Sequence, residues 1–369
     1  MPMTFNLQRD AMRGIFAGLA VLFAASLARA STIGSPVIAD GYVFTNFDFP
    51  NSGNAAGAGA NSNGISNNGA AVGFSIDNNG MFTDFIRNPD GSFLPLNTSG
   101  ASPLAFGINS AGSVVGQNNN AAFYLPLGGS PQTLAVPADS TAFGINDQGG
   151  IVGQFTTPSS TPGFFLANSG ASTFVQINAP SGPNIVNAQG INNNGLTVGF
   201  YVGADGQDHG FTTNIRNANN NSLGSTAVAD PALPSVPGEP GATFVFSQIL
   251  AVNDNGIAVG YYGDSTTSQH GFLYNTNTGS YVFLDDPSEA FENGVEVTQI
   301  TGITDLGGIT GFYSDASGVF HGFVGCPVGI TCPNVGSSPV PEPAPQVLGS
   351  FGLAVLGFTC FRRRRNSRA

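Results

Sequence analysis

Three histidines, His209, His270 and His321, are the side chains best suited to chemistry near neutral pH. Three imidazoles are also the ligand set of an open zinc site. Each of these, however, opens the same tripeptide, His-Gly-Phe, and the copies lie 61 and 51 residues apart. Equivalent positions in successive repeats are spread around a structure and meet only if they line its axis. The expectation is therefore histidines that hydrogen-bond within their own repeats, and no metal site. Asn253-Asp254-Asn255-Gly256 and Asn146-Asp147-Gln148-Gly149 have the look of calcium loops. They lack the run of carboxylates and the closing Glu of an EF-hand, and turn chemistry accounts for them. Weak calcium binding by the acidic surface is the one cofactor role left open. Asp285-Asp286 is a carboxylate pair, but on a strand adjacent residues face opposite ways and cannot share a substrate atom. No Gly-x-Ser-x-Gly elbow and no phosphate loop occurs, so no catalytic residue is assigned. Cys326 and Cys332 are close in sequence, with no His or further Cys nearby to complete a metal site. In an exported chain they are a disulfide candidate.

The elements that carry these residues repeat six times. The clearest copy is Gly190-Ile191-Asn192-Asn193-Asn194-Gly195-Leu196-Thr197-Val198-Gly199-Phe200-Tyr201. Related phrases start near Gly64, Gly107, Gly144, Ala251 and Gly302, so successive starts lie 43, 37, 46, 61 and 51 residues apart. Asn and Gly tolerate positive φ, and the β-branched and aromatic run that follows suits a strand, so each phrase predicts a hairpin. A Gly recurs before the aromatic in all six copies (Gly73, Gly116, Gly153, Gly199, Gly260, Gly311), which predicts close approach of another backbone. His-Gly-Phe, or a looser form such as Pro162-Gly163-Phe164, then marks a third strand. A fourth apolar run, such as Tyr281-Val282-Phe283-Leu284-Asp285, precedes the next copy.

Four short strands per repeat make one propeller blade. The last copy stops after His321-Gly322-Phe323-Val324, and an unpaired fourth-type strand, Tyr42-Val43-Phe44-Thr45-Asn46-Phe47-Asp48, precedes the first. The N-terminal strand is therefore expected to complete the last repeat and close a ring, which removes exposed sheet edges. An open solenoid would need capping repeats, and none is visible. Asn217 to Gly241 is rich in Pro, Asn and Gly and reads as a long mobile loop.

Of 369 residues, 41% are hydrophobic and 9% are charged. The Phe, Val and Ile content argues against disorder. Lys is absent, and only Arg87 and Arg216 lie between residues 31 and 346, against all but one of the 22 acidic residues. Such a surface excludes nucleic acid as a partner, since that needs basic patches. The remaining arginines sit at the two ends. Arg9 and Arg13 precede the apolar run Gly14 to Leu27, and Ala28-Arg29-Ala30 ends a signal peptide over 1–30, with the mature chain starting at Ser31. A leader (31–41), the repeat domain (42–324) and a linker (325–340) follow. Pro341-Glu342-Pro343 then leads into the apolar segment 347–361 and Arg362, Arg363, Arg364 and Arg365. As a helix, that segment would reach about 22 Å, short of a ~30 Å hydrocarbon core, so it would anchor weakly with the arginines in the cytoplasm.

This ordered tail resembles the PEP-CTERM sorting signal of Gram-negative bacteria. The resemblance implies that an exosortase-type transpeptidase recognises Pro341, Glu342 and Pro343 and cleaves near them. The apolar segment would then be a transient membrane anchor and Arg362 to Arg365 the stop-transfer cluster. The body resembles the HAF-type extracellular repeats, here with His-Gly-Phe at 209, 270 and 321. Val252 and Ala251 depart from the phrase, as do Ser66 and Thr304, and the first three copies lack His. That family implies an exported β-repeat protein of undefined activity.

The expected protein is all-β: a six-bladed β-propeller-like domain between an N-terminal signal helix and a short C-terminal transmembrane helix. It is expected to be exported, to start in the inner membrane, and to serve a binding or structural role in the cell envelope or extracellular matrix. The resemblance makes exopolysaccharide or another surface glycan the partner class. The alternative is a secreted hydrolase or lyase acting on polysaccharide at the propeller mouth.

Overall fold

The computed structural model describes residues 36–96, 104–217, 222–232, 242–289 and 295–333. Their secondary structure is all strand, apart from one 3-10 turn at Ile215–Asn217. The signal segment 1–30 and the tail 341–369, with the two expected helices, lie outside the described residues. Among the described residues no helix is long and apolar enough to cross a membrane.

The clearest repeat shows the local logic. Val186–Ile191 pairs antiparallel with Leu196–Val202, and that strand with Asp208–Asn214. Between Ala188 and Gly190 the register slips, leaving Gln189 as an extra residue. A bulge of this kind bends a strand and re-aims a side chain. The same slip occurs at Asn63, Phe106, Phe143, Leu250 and Thr301, the equivalent places in the other repeats. Together with Gln189, these residues line one central cavity of about 110 Å³.

The strands around that cavity follow one another in a circle. A Cβ added at Gly64 would meet the Phe106 carbonyl, at Gly107 that of Phe143, and at Gly144 that of Gln189. One at Gly190 would meet the backbone of Ala251, and one at Gly302 the backbone of Ile65. The series returns to its start, so the fold is propeller-like. The recurrent Gly before the aromatic has its own cause. At Gly199 a Cβ would collide with the carbonyl oxygen of Asn187 on the paired strand.

The core lies between neighbouring sheets. The aromatic of the third strand (Phe85, Phe123, Phe164, Phe211, Phe272, Phe323) is at most 3% exposed in every repeat. Each such burial is worth about 1.5–3 kcal/mol. Arg87 is buried as well, with its guanidinium 4.9 Å from the Phe47 ring centroid, and burial lowers its pKa to about 10.

Closure follows the expected route. Tyr42–Phe47 pairs antiparallel with the last strand, Phe320–Pro327. The sheets of the first and last repeats also touch through one parallel pair, Phe320 with Gly59. Several boundaries need correction. The expected leader holds a strand, Val37–Ala39, that pairs with Tyr42–Phe47. The expected linker begins inside the last strand, because Tyr42 still pairs with Pro327. Cys326, inside that strand, is joined by a disulfide to Cys332 beyond it, and both pack among Val43, Phe47 and Val324.

The segment read as one long mobile loop holds two short strands. Ser222–Gly224 pairs in parallel with Val175–Asn178 of the preceding repeat. Thr226–Ala227 then pairs with Asp208–Asn214 as the fourth strand of its own repeat. The insertion thus laces two sheets together, held by Leu223, which is buried beside Ile177, Val186 and Phe211.

Candidate functional site

At one end of the cavity the six turns that end in Gly69, Gly112, Gly149, Gly195, Gly256 and Gly307 meet. Asn192 shows what its position does. Its Oδ1 accepts the backbone N–H groups of Asn194 and Leu196, each at 3.0 Å, which holds its own turn. Its Nδ2 donates to the backbone carbonyl of Asn253 in the next repeat, at 2.9 Å. Asn109 reaches Asn146 in the same way, Asn146 reaches Asn192, and Asn253 reaches Thr304.

The following residue adds a second stitch. Asp147 takes the Ser110 N–H on Oδ1 and the Ser110 hydroxyl on Oδ2. Asp254 takes the Asn193 backbone N–H on Oδ1 and the Asn193 amide on Oδ2. Asp305 takes the Asp254 N–H on Oδ1 and the Asn67 amide on Oδ2. Asn67 and Asn193 accept the backbone N–H of Asp305 and Asp147 through their amide oxygens. A third stitch runs from Asn68, Gln148, Asn194 and Asn255 to carbonyls of the next turn. The mouth is therefore lined by amides and three carboxylates, and all six oxygens of those carboxylates accept a hydrogen bond from the preceding or following repeat. No histidine lines it.

The three histidines lie at the other end of the strands, each in a set of the same make-up. His209 sits between Asp230 (2.9 Å) and Asp205 (3.1 Å). His270 sits between Asp285 (2.9 Å) and Asp264 (3.8 Å), and His321 between Asp48 (2.7 Å) and Asp315 (3.4 Å). A cross-strand tyrosine lies against each ring, at 5.8 Å for Tyr201 and 5.2 Å for Tyr262 and Tyr313. Burial disfavours the imidazolium, but the flanking carboxylates outweigh it and raise all three pKa values, that of His270 to about 9. Among the described residues no group of three or more His, Cys, Asp or Glu side chains could hold a metal ion.

Asp285 and Asp286 go separate ways, but not because they alternate on a strand. The strand ends at Phe283. Asp285 accepts from Gly271 N–H and contacts His270, while Asp286 accepts from Asn46 and the Ser288 N–H. Nearby, burial raises the Glu289 pKa to about 8, with the Asp285 charge adding to it. Between two repeats, burial also lifts Asp208 to about 6, where Gln248 donates to it.

Reading the sequence missed the carboxylate partners of the histidines and the stitches between turns. One signal for the first was present: Asp205, Asp264 and Asp315 stand four to six residues before the histidines of the three His-Gly-Phe copies. Pro341, Glu342, Pro343, Arg362 to Arg365, Ala28, Ala30 and Ser31 lie outside the described residues.

A sequence-family profile described as the PEP-CTERM protein-sorting motif matches residues 339–365. No curated protein sequence matches the chain. Among solved structures, TolB from Acinetobacter baumannii is similar, with 11% identity and a TM-score of 0.45; the alignment covers 69% of this chain and 63% of that one. The gluconolactonase XC5397 from Xanthomonas campestris has 10% identity and a TM-score of 0.44, over 83% of this chain and 98% of that one. An Aleuria aurantia lectin mutant has 12% identity and a TM-score of 0.39, over 74% and 91%. Likenesses this distant decide neither substrate nor activity. The motif indicates an exported protein, sorted by exosortase through a membrane-anchored stage.

Proposed function

We propose that the chain is a six-bladed, propeller-like scaffold of the cell envelope or extracellular matrix, with a binding or structural role rather than a catalytic one. The supporting observation is the occupancy of the mouth carboxylates. Asp147, Asp254 and Asp305 converge there from three repeats, yet each oxygen already accepts a hydrogen bond from a neighbouring turn. These carboxylates therefore act as cross-repeat acceptors that hold the turns in place, and that fixed structural use is what favours a scaffold over a catalyst. The partner class we propose is an exopolysaccharide or other surface glycan, whose hydroxyls suit an amide-rich rim. The repeats themselves we assign to the HAF-type extracellular class.

The test is incubation of the purified protein with the host's exopolysaccharide. Co-sedimentation with no new reducing or unsaturated chain ends is the expected result. New chain ends, lost on substituting a mouth aspartate, would establish the polysaccharide-cleaving enzyme instead.

A further inference from the structure

Where the N-terminal strand closes the ring, two buried acceptor atoms face the same problem. Asn46 lies on the closing strand Tyr42–Phe47. Its Nδ2 donates to Ser288 Oγ at 2.8 Å and to Asp286 Oδ1 at 3.3 Å, so both N–H groups are used. The other two polar atoms of this pair, Asn46 Oδ1 and Asp286 Oδ2, are buried without a partner. Asp286 is fully buried. Two acceptors cannot satisfy each other, and a buried unsatisfied oxygen costs about 1–3 kcal/mol.

We propose that Asp286 is a neutral carboxylic acid whose Oδ2–H donates to Asn46 Oδ1, making a cyclic acid–amide pair that latches the closing strand to the connector before the last repeat. One proton satisfies both orphan atoms and removes a buried charge. The surroundings fit a neutral group. His321, on the last strand, is the nearest cation, but it lies between Asp48 and Asp315. Tyr313 lies on the neighbouring strand; burial first and then Asp286 raise its pKa, against a hydrogen bond with the Asn46 side chain, which leaves Asn46 Oδ1 to the acid. On the connector stand Asp285, held by His270, and Glu289, which accepts from Thr298. Burial raises the Asp286 pKa and outweighs the hydrogen bonds from Ser288 and Asn46 and the His321 charge, which favour the carboxylate. A carboxyl group with a raised folded-state pKa contributes stability that is complete below its unfolded pKa and lost as pH rises through the folded one. The latch is therefore closed in acid and weakened in base.

The test uses the full exported chain and Asp286→Asn, which keeps the shape and donates at every pH. The variant should match the wild type on the acid side and melt higher than it on the alkaline side. Aspartate-specific 13C labelling should show, besides Asp208, a second carboxyl that stays protonated above the ordinary aspartate range and that Asp208→Asn leaves in place, a reading that needs no Asp286 variant to fold. A variant less stable at every pH, or no protonated aspartate beyond Asp208, would overturn the proposal. So would calcium raising the melting temperature of the wild type alone, since a cation would then fill the gap.

Discussion

The side-chain amide of Asn192 donates to the backbone carbonyl of Asn253, 61 residues later, at 2.9 Å. This bond crosses from one repeat to the next and is one link in a series around the mouth. Asn192→Asp keeps the acceptor that holds its own turn but removes the donor. It leaves the Asn253 carbonyl without that partner, at a cost of about 1–3 kcal/mol. Urea unfolding should show that loss, whereas Asn214→Asp, which keeps the oxygen that accepts the Arg216 N–H, should change little.

The histidine sets make stability depend on pH. His209, His270 and His321 all have folded-state pKa values raised above the ordinary one. Their contribution is complete below the unfolded value and is lost as pH rises through the folded value, which for His270 is about 9. Glu289 and Asp208 are also raised, to about 8 and about 6, so they act in the same direction. The urea midpoint should therefore fall from mildly acid to alkaline pH, and His270→Gln should flatten the alkaline part of that slope.

Gly199→Ala places a Cβ against the Asn187 carbonyl. Backbone cannot give way as a side chain would, so a loss of about 3 kcal/mol or more is expected. Gly224 has no neighbouring atom within 4 Å of an added Cβ, so Gly224→Ala is the control and should be nearly neutral. Equal melting temperatures for the two variants would contradict the close approach.

Much of the architecture was legible in the sequence, and particular residues show why. The unpaired run Tyr42 to Asp48 announced ring closure, because it read as the fourth-type strand that the last repeat lacked. Ser222–Gly224 and Thr226–Ala227 were missed because strands of three and two residues carry no period. The stitches were missed for another reason. Asn67, Ser110, Asp147, Asn193, Asp254 and Asp305 share only an oxygen acceptor on a short side chain, and local turn chemistry already explained each one. Their partners lie a whole repeat away, so only the fold brings them together.

Reduction should loosen the last strand. The loop between Cys326 and Cys332 is short, so the crosslink is worth about 2–3 kcal/mol on chain entropy. A reductant should lower the melting temperature of the wild type and leave a Cys326→Ala, Cys332→Ala double variant unchanged.

The most direct test of the account is the intact mass, with terminal sequencing, of the protein recovered from the host's envelope and medium. Export followed by sorting at the matched motif predicts a chain that starts at Ser31 and ends near Pro343. A recovered chain that still carries Arg362 to Arg365 would contradict sorting and would mean a permanent anchor.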